Sequence, residues 1–471
     1  MSDIQAYIGG KHIDGPASYE NINPSTSAVL GTVVRADAAL VDQAVQAARA
    51  AQPGWAAIKP EERANLLEAL ARAILENKEA LAVLESEDTG KPLSQARNDA
   101  VVLARYFQFY GRAIDSYYGL ALPVDPGFHV YTRREPLGVA GSIIAWNYPM
   151  QLFGRAVAPA LATGNTSVVK PADETPRTAV RVAELAVEVG IPAGVLNVVP
   201  GIGNEAGAAL AAHPGIDHIG FVGSTTVGTS IAASAAQNVV PAVLELGGKS
   251  PHIVFPDADL DTVTTFVTKG ILQNAGQTCS AGSRLVVHSS IAQELIGRLE
   301  AAFAATTIGP GMEDRDLGPL ISLKQQQRVR GFVDEAQGKI VTGGLAPDGL
   351  GDGAFFLPTL ISDVDPASRI AREEVFGPVL VSTPFQTEEE AVALANGTDY
   401  ALMAAVWTSD VSRAHRLAGS VLAGQVYVNA FGAGGGVEYP FGGFKKSGYG
   451  REKGYESLDA YTATKTVIVK L

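Results

Sequence analysis

The chain has 471 residues, 46% hydrophobic and 18% charged, the profile of a globular protein with large cores rather than a disordered or fibrous one. Its 36 Lys and Arg against 49 Asp and Glu leave a formal charge of −13, which argues against non-specific binding to nucleic acid or to an anionic membrane surface. A single cysteine excludes an internal disulfide and points to a reducing compartment, the cytoplasm.

The opening "MSDIQAYIGGKHIDG" lacks the basic and apolar regions of a secretory signal, and no apolar run approaches the roughly 20 residues of a membrane-spanning helix. "YIGGKHIDG" predicts a hairpin turning at Gly9-Gly10. "DAALVDQAVQAARAAQ" and "PEERANLLEALARAILENKEALAVLE" carry apolar residues at helical spacing, the second with Pro60 at a first helical position. A further helix is expected over 92–118, followed by a proline-broken, extended excursion over 121–138. From Gly138 the rhythm changes. The apolar runs "GVAGSIIA", "TSVVKP", "VLNVVPG", "IDHIGFVG" and "AVLELGG" alternate with helical stretches. That pattern predicts an α/β unit with a parallel sheet covered on both faces, whose ligands bind beyond the carboxyl ends of its strands. A second α/β unit is expected over 251–430, with "PHIVF", "SRLVVH", "FGPVLVSTPF", "ALMAAVWTS" and "QVYVNA" as strands. "GAGGGVEYPFGG" (432–443) reads as an ordered glycine-rich wall, and "DAYTATKTVIVKL" as an edge strand open to pairing with another chain.

Three residues stand out chemically. The lone Cys279 lies in "NAGQTCSAG", among small residues that leave a thiol accessible. A loop-to-helix junction there would stabilise a thiolate, the nucleophilic form, although a lone cysteine also serves as a small buried hydrophobe. Glu245 ends the apolar strand "AVLELGG". It fits either a paired structural carboxylate or a buried general base facing the ligand crevice. Asn147, in "SIIAWNYP", fits a bend before Pro149 or a side-chain donor to an oxyanion. For a dinucleotide, "VPGIGNEAG" is a poor match to the G-x-G-x-x-G fingerprint, because Gly207 comes one residue late. "FVGSTTVG" is better: strand, glycine turn at Gly223, Ser224, then a helix whose N-terminus suits a pyrophosphate. Lys170 and Asp173, in "VVKPADETP", end a strand where a ribose could be held, or where a solvated strand end and a loop would serve equally. The seven histidines are scattered and form no metal-ligand spacing.

Taken together, "IIAWNYP", "LELGGKSP", "NAGQTCSAGSR", "EEVFGPV" and "PFGGFKKSGYGRE" resemble the aldehyde dehydrogenase superfamily, in its order and over essentially the whole chain. The resemblance implies the aldehyde dehydrogenase fold. A Rossmann-like cofactor domain would span 1–120 and 139–246, and a catalytic domain 247–440. A small β oligomerisation arm would span 121–138 and 441–471, giving a homodimer or homotetramer. It implies Cys279 as nucleophile, Asn147 and the Cys279 N–H as oxyanion donors, and Glu245 as the base that activates water on a thioester. It also implies a cofactor set of Ile143, Ile144, Trp146, Lys170, Asp173, Gly203, Gly223, Ser224, Leu246, Gly247, Glu374 and Phe376. Asp173 stands where a glutamate is usual; its carboxylate favours NAD, and its shorter side chain leaves NADP possible. Many members carry an aromatic residue and then lysine where this chain has Arg155-Ala156. Arg155 is similar to an arginine that holds the substrate carboxylate in succinate-semialdehyde dehydrogenases, though Gln273 stands where those enzymes have a second arginine. A surface or inter-subunit position for Arg155 is the other reading. Tyr148, Phe153, Phe431, Tyr439 and Phe441 could line an aromatic channel. The expected substrate is therefore an aromatic aldehyde or a carboxylate-bearing semialdehyde. A CoA-acylating or catalytically silent relative is the alternative, which an intact Glu245 disfavours.

Overall fold

The computed structural model describes residues 3–432 and 436–471. Three residues of the expected glycine-rich wall, 433–435, lie outside the described residues. Gly9 and Gly10 take φ values of 58° and 77°, which lets Ala6–Ile8 fold back on Lys11–Ile13 as a tight hairpin. The Ala38–Ala57 helix begins where the Asp37 side chain accepts the Leu40 N–H, and Pro60 starts the Pro60–Glu76 helix without forfeiting an internal hydrogen bond. The long pattern after Pro60 is two helices, because Asn77 closes the first and opens the second, Lys78–Thr89. The next helix runs Leu93–Ala113 and tightens into a single 3-10 turn over Ile114–Ser116, slightly short of its expected end.

The five apolar runs after Gly138 are strands of one eight-stranded sheet. Its order is Lys11–Ile13, Ala6–Ile8, Leu196–Val198, Thr166–Lys170, Val139–Ile143, His218–Val222, Ala242–Glu245 and Gly448–Tyr449. The five central strands are parallel, and the pieces added at each edge are antiparallel. The central strands are almost wholly buried, as continuous apolar runs in a two-sided parallel sheet must be. Residues 251–428 supply a second, seven-stranded sheet with its own core, parallel except for the Lys339–Thr342 edge. Phe128–Pro136 and Thr462–Lys470 pair antiparallel along nine positions in a separate three-stranded sheet. Thr462–Lys470 is its open edge, and Phe128, Ile468 and Val469 are exposed there. Among the described residues, no helix is long and apolar enough to cross a membrane.

Candidate active site

The two parallel sheets meet at a cavity of about 510 Å³. Its walls come from four strand ends and loops far apart in sequence: Trp146-Asn147, Gly223–Thr226, Glu245–Gly247 and Cys279, with Glu374 and Phe376 opposite. Glycine makes the convergence possible. A Cβ on Gly248 would lie 2.2 Å from the Cys279 carbonyl oxygen, and one on Gly276 (φ 72°) 2.1 Å from that of Gly377. The loop bearing the thiol is thus pressed between the segment after Glu245 and the segment after Glu374. Ser447 holds the Gly247 turn by donating its hydroxyl to that carbonyl at 2.7 Å.

The sequence places a helix start at Cys279; the structure places a helix end before it. Gln273–Gly276 is a 3-10 turn in which Asn274 and Ala275 are left-handed, and Cys279 sits in the following turn ahead of the Arg284–His288 strand. Among the described residues, no helix begins at Cys279. The sulfur is partly accessible, yet burial pushes the thiol up to about 12. Arg155 opposes that rise, while Glu245, Glu374 and Glu452 add to it. Asn147 is fixed beside the same loop: its Nδ2 donates to the Gln277 carbonyl at 3.0 Å, and its own carbonyl accepts from Asn274 Nδ2 at 2.8 Å. Glu245 is buried, and neither carboxyl oxygen has a hydrogen-bond partner. Burial and then the charge of Glu452 raise its pKa well above the ordinary carboxylate range.

Ser224 caps the Thr225–Gln237 helix, its hydroxyl accepting the Val227 N–H, so the positive end of that helix opens onto the cavity beside Gly223. Glu374 accepts the Gly248 N–H at 2.8 Å, and burial raises its carboxyl to about 7. Trp146 and Phe376 meet edge to face at 5.2 Å. Leu246 and Gly247 complete this wall. Lys170, Asp173 and Gly203 form a neighbouring cluster outside it. Lys170 Nζ is ion-paired with Asp173, which also accepts the Gly203 N–H at 3.2 Å. Ile143 and Ile144 do not line the cavity; their side chains fill the cores on either side of the sheet.

The aromatic set does not form one wall of this cavity. Phe153 is packed in the first core among the helices, and Phe431 lies against His252 with ring centres 4.4 Å apart. Tyr439 is exposed, and Tyr148 bonds Thr278 Oγ1 at 3.0 Å, one residue before the thiol. Arg155 is neither a surface residue nor a free anchor: it is buried, its Nη2 lies 2.5 Å from Glu452 Oε2, and its guanidinium stacks 4.6 Å from the Phe441 ring centre. Gln273 lines a separate hollow with Gln95 and Lys269. Residues that sequence reasoning passed over also shape the site. Thr225 and Thr226 lay within the quoted glycine turn, and Glu452 within the last quoted motif, whereas Gln325, Arg328 and Tyr400 had no local signal. Lys249 is buried with no partner for its Nζ, and burial lowers it to about 7. Among the described residues, no group of three or more His, Cys, Asp or Glu is arranged to hold a metal ion.

Comparison with known proteins bears on this geometry. The model of the "Aldehyde dehydrogenase family" matches residues 12–467. Human retinal dehydrogenase 2 is 42% identical, over 95% of this chain and 88% of its own length. A Burkholderia cenocepacia protein assigned as an aldehyde dehydrogenase is 49% identical, and its crystal structure superposes with a TM-score of 0.97 over 99% of both chains. PnpE of Pseudomonas sp. WBC-3, solved in complex with nicotinamide adenine dinucleotide, is 39% identical with a TM-score of 0.97, covering 99% of this chain and 97% of its own.

Proposed function

Because the chain belongs to the aldehyde dehydrogenase family and has its fold, we propose that this oxidoreductase converts an aldehyde to the free carboxylic acid with NAD, using Cys279, Asn147 and Glu245. The observation that carries the reading is their convergence on one cavity with the N-terminus of the Thr225–Gln237 helix. That helix end, Gly223 and Ser224 suit a pyrophosphate, and the Gly247 backbone suits close approach of a flat ring, since any side chain there would strike Glu374. Glu374 would hold the nicotinamide ribose, Lys170 and Asp173 the adenosine ribose. When bound, NAD supplies a hydride acceptor.

The chain's own residues do the rest. The Cys279 thiolate adds to the aldehyde carbon, and the Asn147 side-chain N–H, with the Cys279 backbone N–H, stabilises the oxyanion of the thiohemiacetal. After oxidation the carbon is a thioester on Cys279. Ionised Glu245 takes a proton from water, hydroxide adds to the thioester carbonyl, and collapse expels the thiolate and the acid. Asp173 favours NAD by repelling a 2′-phosphate, and the Lys170 charge beside it offsets part of that repulsion, so NADP is expected as a poorer cofactor. With Arg155 neutralised by Glu452, a substrate carboxylate has no free partner there, which supports an uncharged aldehyde. The apolar open strand Thr462–Lys470 supports the oligomerisation arm, hence a homodimer or homotetramer, and the single free thiol supports a cytoplasmic enzyme.

The test is Cys279→Ala. NADH formation from a panel of aliphatic, aromatic and carboxylate-bearing aldehydes is expected to vanish while NAD still binds by fluorescence titration. Product analysis of the wild type is expected to give free acid whether or not coenzyme A is added. Retained turnover in the variant, or acyl-CoA as the product, contradicts the reading.

A further inference from the structure

The loop that carries Cys279 is strained and has to be held. Asn274, Ala275 and Gly276 take φ values of 49°, 54° and 72°, left-handed in succession, and only the glycine adopts that region freely. Beyond them the Ala281 N–H bonds the Thr278 carbonyl at 2.9 Å, closing a turn with Cys279 and Ser280 at its centre. Where the sulfur stands therefore follows from where Thr278 is fixed.

Much of the grip comes from one short segment, 147–148. Asn147 Nδ2 donates to the Gln277 carbonyl at 3.0 Å, and the Asn147 carbonyl accepts from Asn274 Nδ2 at 2.8 Å. The next residue adds a third link: the Tyr148 hydroxyl and Thr278 Oγ1 share a hydrogen bond of 3.0 Å, and both residues are buried. Neither Tyr148 nor Thr278 lines the cavity, although their neighbours Asn147 and Cys279 both do. The Tyr148 ring has a fixed support of its own. Lys91 Nζ lies 4.4 Å from its centre, and the same ammonium pairs with Glu85 and Asp99. Asp99 in turn accepts from Gln151 Nε2 at 2.7 Å, in the first turn of the helix that follows Tyr148. The tyrosine is thus anchored through its ring and reaches the loop with its hydroxyl.

We propose that Tyr148 and Thr278 are positioning residues for the reaction: their hydroxyl pair sets the register between the Asn147 amide and the Cys279 sulfur. The proposal rests on the reading of Cys279 as nucleophile and Asn147 as oxyanion donor. It gives the tyrosine hydroxyl to the enzyme's own loop and not to a substrate. An oxyanion donor works over about 2.7–3.1 Å, and a misplacement of about 1 Å costs about 10²-fold. Loss of one hydrogen bond shifts the loop by less than that, so a slowing of about tenfold is expected.

The test reads the NADH burst of the whole enzyme by stopped flow, at saturating NAD and aldehyde. Tyr148→Phe keeps the ring over Lys91 and removes only the hydroxyl; Thr278→Val removes the other half of the pair. Each is expected to slow the burst about tenfold, and the double variant no further, because the same bond is lost. Thr278→Ser keeps a hydroxyl and is expected to recover most of the loss. KM is expected to stay within about twofold across aliphatic, aromatic and carboxylate-bearing aldehydes. In an Asn147→Ala background the donor being positioned is gone, so Tyr148→Phe is expected to cost less than about twofold more. A merely structural role would cost the same factor in both backgrounds, and that result overturns the proposal. So does a burst within about twofold of wild type in both single variants, penalties that multiply in the double variant, or a loss confined to KM for particular aldehydes. Failure of the underlying reading shows separately, as NADH formation retained by Cys279→Ala, and takes the proposal with it.

Discussion

Replacing Glu245 by glutamine separates the two halves of the reaction. The carboxyl is buried, neither oxygen is hydrogen-bonded, and burial shifts it toward its neutral form; glutamine has nearly the same shape. The change therefore exchanges one unpartnered buried polar group for another of the same size, and the expected effect on stability is within about 1 kcal/mol. The chemical effect is much larger. A positioned general base contributes about 10²–10⁴-fold, roughly 3–5 kcal/mol in the barrier of the step that uses it. In stopped-flow mixing with NAD and aldehyde, Glu245→Gln is expected to give a burst of one NADH per active site, then a steady state slowed by that factor. Intact-protein mass spectrometry of the quenched mixture should find the acyl group on the single cysteine. The sign of the pH dependence follows from the raised carboxyl: only the ionised form accepts the water proton, so wild-type turnover climbs with pH above the ordinary carboxylate range and the variant loses that limb. Steady-state turnover within about threefold of wild type, or loss of the burst with no acyl-enzyme detected, would refute the assignment.

Asn147→Ala removes the side-chain oxyanion donor and is expected to slow the burst itself by 10²–10³-fold, about 3 kcal/mol, with NAD affinity unchanged by titration. Lys91 is buried between Glu85 and Asp99, its Nζ 3.1 Å from Glu85 Oε1 and paired with Asp99. Lys91→Met leaves two buried carboxylates without their cation and should cost about 3–5 kcal/mol in a denaturant titration. His218 is buried, and burial lowers it from 6.5 to about 4. The unfolded chain then takes up a proton that the folded chain refuses, so stability falls as pH drops from 6.5 toward 4, by about 2 kcal/mol at pH 5. His218→Phe is expected to flatten the Tm-against-pH curve across that window, and an unchanged slope counts against the reasoning.

The sheets were legible because parallel strands buried on both faces announce themselves as unbroken apolar runs. The thiol, the amide and the strand-end carboxylate were legible because each interrupts its surroundings: a lone cysteine among glycines, an Asn before Tyr-Pro, a charge in a strand. Other features left no such mark. Ala275 adopts φ 54° with no glycine or asparagine of its own to signal it, so the turn before Cys279 read as a helix start. Phe153 and Arg155 share a helix whose faces are all buried, and without a polar side the periodicity cannot tell which face meets the site and which meets the core. Glu452 pairs with Arg155 across most of the chain, and no local pattern encodes that distance.

Burial alone does not single out this cavity, since charged side chains are also buried far from it. What differs is satisfaction. Lys91, Glu85 and Asp99 complete one another, and Thr178 and Gln151 donate to the same carboxylates. A set of that kind holds helices in place and asks for nothing more. At the cavity, both oxygens of Glu245 and Oδ1 of Asn147 are buried without partners. Each such group lowers stability by about 1–3 kcal/mol; buried polar atoms of Asn21, Thr175, His218 and His252 also lack partners without lining the cavity, so what marks Glu245 and Asn147 is that theirs lie on the cavity wall beside Cys279.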